Sequence, residues 1–129
     1  MNNYLAVMHE YSFEKLDVWK LAKEISVYIY QLTKAFPNEE RFGLTSQMRR
    51  AAVSIASNIA EGCSRISPRD QSRFYTIAFS STMELLNQLI ISKELKFISE
   101  VDLEEGRLKI EQLTRKLSSL KRSTLNPKP

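Results

Sequence analysis

The chain has 129 residues, 43% of them hydrophobic and 26% charged, with only three glycines and four prolines. That is enough chain for one domain with its own core and too few turn formers for a strand-rich fold, so composition points to an all-α protein. A lone cysteine excludes an intramolecular disulfide and fits a reducing compartment, a lone histidine excludes the soft-ligand cluster of a zinc or iron site, and a formal charge of +4 permits an acidic partner without requiring one.

Taken in order, residues 1–12 read as a flexible arm carrying His9. They lack a basic stretch followed by an apolar run of about 7 to 15 residues, and nowhere do about 18 apolar residues follow one another. The expectation is a cytoplasmic protein with no membrane partner. A helical domain is expected over residues 13–122. Its first helix begins at Leu16 or Asp17 and ends at Ala35 or Phe36, because Val18, Ala22, Ile25, Ile29, Leu32 and Phe36 alternate at steps of four and three, and Pro37 pushes its predecessor out of the α region. A polar connection from Asn38 to Gly43 leads to a second helix from Leu44 or Thr45, with Met48, Ala52, Ile55, Ile59 and Cys63 as its apolar stripe. Gly62 is expected just past its end, where a positive φ favours glycine. Ser67-Pro68-Arg69-Asp70 combines a cap, a proline at the first helical position and an acid in the first turn, so the third helix starts there and runs to about Leu95. Its apolar residues, from Phe74 and Ile77 through Phe79 and Met83 to Ile90 and Ile91, wrap most of the way round, which implies burial on more than one side and hence a protein interface. The last helix starts near Glu100 or Val101, with Leu103, Gly106, Ile110, Leu113, Leu117 and Leu120 in heptad alternation; residues 123–129 read as a disordered tail. Four helices with short connections give an up-down-up-down antiparallel four-helix bundle.

Templates for enzymatic chemistry are missing: no phosphate-binding GxxxxGK[ST], no GxGxxG, no HExxH, no GxSxG, and no histidine to pair with a nucleophile outside the arm. No catalytic residue, metal or cofactor is expected. A polar seam, Ser54, Asn58 and Glu61, flanks the stripe of the second helix and must find partners, with Ser81 and Glu84 on the third helix and Arg49 or Arg50 as candidates. It serves either as a network fixing helix register or as the lining of an interface or pore. The basic residues fall into three sets: Arg49 and Arg50; Arg65, Arg69 and Arg73; and the fourth-helix end with Arg115, Lys116, Lys121 and Arg122. The last has a ready explanation in the helix dipole, whereas arginines at a helix start have none and suit phosphate through two parallel hydrogen bonds. Local pairing with Asp70 is the competing explanation for the middle set.

The run from Arg49 to Gly62, with Phe13-Glu14, Val18-Trp19, Phe36-Pro37, Phe42-Gly43-Leu44 and Arg73-Phe74-Tyr75-Thr76-Ile77-Ala78, resembles the bacterial four-helix proteins called 23S rRNA intervening-sequence proteins. These are similar in turn to the accessory protein of diversity-generating retroelements. The resemblance spans roughly residues 12 to 121 and implies a homopentameric ring around a central channel. Ala56 stands where proline is common, Ser80 where glycine is common, and Lys96 where a glycine usually closes the third helix, which leaves that turn's conformation open. Composition and resemblance together suggest a non-catalytic homo-oligomeric scaffold that binds RNA or an RNA-handling protein. The alternative is a protein-interaction module without a nucleic-acid role.

Overall fold

A computed structural model describes residues 8–127 of the chain. It holds four α-helices, α1 (Asp17–Thr33), α2 (Leu44–Ser64), α3 (Pro68–Glu94) and α4 (Glu100–Leu125), with 3-10 turns at Ser12–Lys15 and Asn38–Glu40. No strand occurs among the described residues. Each helix packs against its neighbours in sequence, and α1 also packs against α4. The start of α2 lies beside the end of α3, where the Ser92 hydroxyl meets Met48 Sδ at 3.3 Å, and the Gly62 end of α2 lies beside Tyr75.

The stripes read from spacing become one core. Ala22, Ile29, Met48, Ala52, Ile55, Ile59, Ala78, Leu85 and Leu113 are fully buried, and Val18, Ile25, Phe36, Leu89, Leu103, Ile110 and Leu117 nearly so. Hydroxyl groups tie helices across it: Ser26 Oγ donates to the Ala52 carbonyl at 3.1 Å, and the Tyr28 hydroxyl donates to the Asp102 carbonyl at 2.7 Å. Burial, reinforced by the charges of Glu105 and Asp102, pushes the Tyr28 phenol up to about 12, so it remains a donor at neutral pH. Buried hydroxyls inside α3 are satisfied locally, Thr82 on the Ala78 carbonyl at 2.8 Å and Ser92 on the Gln88 carbonyl at 2.7 Å.

Capping side chains open α3 and α4, whereas α1 follows Leu16 and α2 follows Gly43 with no side-chain cap, and α1 stops at Thr33, short of the expected Ala35 or Phe36. Ser67 accepts the Asp70 amide, Pro68 opens α3, and Ser99 with Asp102 forms a reciprocal box at the start of α4. Gly62, expected outside α2, is buried within it, and the helix continues to Ser64 before Arg65 turns extended. The glycine is needed for proximity: a Cβ there would lie 2.7 Å from Tyr75 Cε1. At the other end, α4 reaches Leu125 and overruns the expected tail boundary, because Arg122 still accepts the Asn126 amide at 2.9 Å. Residues 1–7 of the expected arm and residues 128–129 of the expected tail lie outside the described residues. Within that arm, Tyr11 donates its amide to Glu14 at 2.8 Å, and just past it Phe13 packs edge-on against Trp19 at 4.9 Å.

Third-helix side chains remain open on the side away from the core. Ile77, Phe79, Met83, Ile90 and Ile91 are between 37% and 41% exposed.

Candidate functional site

Part of the polar seam closes on itself. The Ser54 and Ser81 hydroxyls meet at 2.9 Å and join α2 to α3, while Asn58 Nδ2 donates to the Ser54 carbonyl at 2.8 Å and to its hydroxyl at 3.1 Å. Glu61 and Glu84, expected in the same network, are exposed instead. Their longer side chains carry the carboxylates out to water, which avoids the desolvation that a place between the helices would require. Gln88 Nε2 reaches Glu84 at 3.4 Å, and Gln88 Oε1 is buried with no partner, the single such side-chain atom among the described residues. Arg49 and Arg50 do not join this seam.

The middle basic set is brought together only in part. Arg73 donates from Nη2 to Asp70 Oδ1 at 2.9 Å and from Nε at 3.2 Å, and Arg65 Nε lies 3.8 Å from the other carboxylate oxygen. Both guanidinium groups sit over the Phe74 ring, at 4.6 Å for Arg65 and 5.0 Å for Arg73. The clamp on Asp70 offsets one of the two charges and occupies Nε and Nη2 of Arg73. Arg69 is exposed and stands outside the clamp. At the end of α4, Lys121 lines a recess with Tyr75, Phe79 and Leu117, whereas Arg122 is exposed and not part of it.

Arg49 and Arg50 enter a different arrangement. Together with Arg41, Phe42, Tyr30 and Ser46 they line an open recess of about 370 Å³ where the connection after α1 meets the start of α2. Arg49 is held in place: its Nε donates to Thr33 Oγ1 at 2.9 Å, its Nη2 to the Tyr30 carbonyl at 3.3 Å, and its guanidinium lies 4.6 Å from the Tyr30 ring. Thr33 can accept because its own hydroxyl proton goes to the Ile29 carbonyl at 2.7 Å. Arg41 lies over Phe42 at 5.4 Å, and Phe42 is 88% exposed. No carboxylate lines the recess, and none forms an ion pair with Arg41, Arg49 or Arg50 among the described residues. Glu40, close by in sequence, is committed to the Leu44 amide at 3.2 Å. Arg41 and Phe42 were not among the basic sets read from spacing. The signal for them was an aromatic placed beside an arginine in a polar connection, where no core demands it.

Apolar recesses lie elsewhere. One of about 360 Å³ runs between α1 and α2 along Trp19, Val27, Val53, Ala56 and Ala60, and another of about 410 Å³ brings Tyr11 and Phe13 over Ala60 and Cys63. Burial pushes the Cys63 thiol up, away from the thiolate that nucleophilic chemistry uses. No group of three or more His, Cys, Asp or Glu suited to a metal ion occurs among the described residues, and no described helix is long and apolar enough to cross a membrane.

With this geometry in place, comparison with known proteins decides the family. The profile of the 23S rRNA-intervening sequence proteins matches residues 14–119, most of the chain. The chain belongs to that family. A crystal structure of a protein of unknown function from the S23 ribosomal protein family of Bacteroides thetaiotaomicron is similar to it, with a TM-score of 0.75 and 25% identity over 81% of this chain and 97% of that one. No curated protein matches the sequence. Within this intervening-sequence family member, Arg41, Arg49 and Arg50 gather at one recess without an ion pair among the described residues.

Proposed function

We propose that this family member is a non-catalytic, cytoplasmic, homo-oligomeric scaffold that binds RNA or an RNA-handling partner through its basic surface. In this reading the helices form an up-down-up-down antiparallel bundle, and copies close into a pentameric ring through the apolar side of α3. The likeness to the accessory protein of diversity-generating retroelements belongs to the same proposal, as does the name of the family, which ties it to ribosomal RNA. The observation that carries the reading is the set of Arg41, Arg49 and Arg50 around one recess with no carboxylate among them. Arginines that stabilise a fold usually end on acids, as Arg73 does on Asp70 and Arg115 does on Glu111. Arg41 and Arg50, left without one, keep their donors for an anion from outside, and planar forks suit phosphate.

The test is RNA affinity against salt from about 50 to 300 mM, where each neutralised phosphate on a single strand contributes about −0.7 to the log–log slope. Arg41→Ser with Arg50→Ser is expected to flatten the slope more than Arg65→Ser with Arg73→Ser, since Asp70 already neutralises part of the second pair. A parent protein that binds no RNA at the lowest salt overturns the reading. The apolar groove at Trp19, Val27 and Val53 favours the second reading, a protein-interaction module, and stoichiometric co-purification of a protein without RNA would support it.

A further inference from the structure

Phe42 is 88% exposed in a short connection where it fills no core position. Covering such a ring removes its apolar surface from water and so stabilises whatever complex covers it. Its surroundings decide what that cover is. An apolar protein partner would have to desolvate Arg41 and Arg50 beside the ring, with no carboxylate in the recess to compensate them. A nucleotide meets both demands at once, because its base offers a π-face and its phosphate offers the missing negative charge.

Resting on the RNA-binding reading above, we propose that the recess formed by Tyr30, Arg41, Phe42, Ser46, Arg49 and Arg50 is a single-strand nucleotide site, with one unpaired base stacked on Phe42 and the adjoining phosphate held by Arg41 and Arg50. Arg49 forms the fixed wall. Two of its five N–H donors are spent on Thr33 and the Tyr30 carbonyl, and its plane lies along the Tyr30 ring, so its orientation is set before any ligand arrives. The recess, about 370 Å³ and open on one side, falls at the small end of the roughly 300–1,000 Å³ range of small-molecule pockets, enough for one nucleotide and not for a duplex. Selectivity for single strands follows, since a paired base keeps its faces inside its own stack. Discrimination among the bases is not expected, because every base has a π-face and phosphate contacts position a strand without reading it.

The experiment is fluorescence anisotropy with a labelled mixed-sequence single strand of about 12 nucleotides and a duplex of the same length, using the intact chain and its Phe42→Ala, Phe42→Trp and Arg41→Ser/Arg50→Ser variants, with circular dichroism and light scattering on each. The parent is expected to prefer the single strand. Phe42→Ala is expected to weaken that binding roughly 5- to 160-fold, the range of lost base–aromatic stacking, and to leave duplex binding unchanged. Phe42→Trp is expected to preserve affinity and to lose indole fluorescence on adding the strand. Phe42→Ala with undiminished single-strand affinity, while Arg41→Ser/Arg50→Ser weakens strand and duplex alike, overturns the nucleotide site and leaves the scaffold reading standing. A Phe42→Ala protein of lower assembly mass than the parent also overturns it, assigning the ring to a contact between copies. A parent that binds neither nucleic acid overturns both readings.

Discussion

Lys96 is the one non-glycine residue with a positive φ among the described residues, at 65°. Around it the backbone makes the paired bonds of a helix stop: the Phe97 amide donates to the Ser92 carbonyl at 2.9 Å and the Lys96 amide to the Lys93 carbonyl at 2.9 Å. Phe97 then packs against Phe36 at 5.3 Å, anchoring the α3–α4 turn to the core. The turn therefore keeps the glycine-type conformation although a lysine occupies the position where the resembling family usually has glycine. An L-residue in that region carries a penalty of about 1–2 kcal/mol, and glycine would relieve it at the expense of about 0.4–1 kcal/mol in unfolded-state entropy. Lys96→Gly is thus expected to stabilise the fold by roughly 0.5–1 kcal/mol. A urea midpoint equal to or below that of the parent would contradict this.

Between elements, two glycines set how closely helices approach, and they differ in what a side chain would strike. At Gly62 an added Cβ would lie 2.7 Å from Tyr75 Cε1 and 3.0 Å from Phe74 Cβ, a ring and a carbon next to the backbone of α3. Tyr75 cannot swing away: it is 97% buried, complementary to its 3% exposure, and its phenol is raised to about 12 chiefly by burial. Gly62→Ala is expected to destabilise by about 1–3 kcal/mol as an overpacked crossing. At Gly106 the nearest atom is Leu89 Cδ1 at 3.0 Å, the far end of a flexible side chain. Gly106→Ala gains up to about 1 kcal/mol of helix propensity against that contact, so its net effect is close to zero. Thermal or urea unfolding of the two variants side by side checks the order, and equal losses would refute the distinction.

On the scale of the whole molecule, the side chains of Ile77, Phe79, Met83, Ile90 and Ile91 leave α3 covered on its core side and open on the other. Coverage by further copies of the chain is the proposed resolution, and it predicts a native mass that is a multiple of 14.9 kDa, five-fold for the ring. Multi-angle light scattering at micromolar concentration measures it directly. Phe79→Ser with Ile90→Ser is expected to reduce the assembly towards protomers while circular dichroism retains the helices, because both residues are more than a third exposed within one copy. A parent of protomer mass would sink the ring.

The helices were legible in the sequence, since a stripe such as Val18, Ala22, Ile25 and Ile29 follows from a period of 3.6, and the start at Ser67 follows from capping chemistry that acts within a few residues. The same local rules misplaced Gly62: a glycine near a helix end satisfies the local signature of a stop equally well when Tyr75, thirteen positions on, is what requires it. Charge was legible as sets along the chain, together with the local pairing to Asp70 that Arg73 and Arg65 adopt. Tertiary structure decided that Glu61 and Glu84 stay in water while Ser54 and Ser81 meet. It also decided that Arg41 and Phe42, from the connection, join Arg49 and Arg50 from α2 and Tyr30 from α1. Periodicity and caps are written in neighbouring residues, whereas the partner of a long polar side chain depends on which helices the core has already brought together, and that is a property of the packed chain.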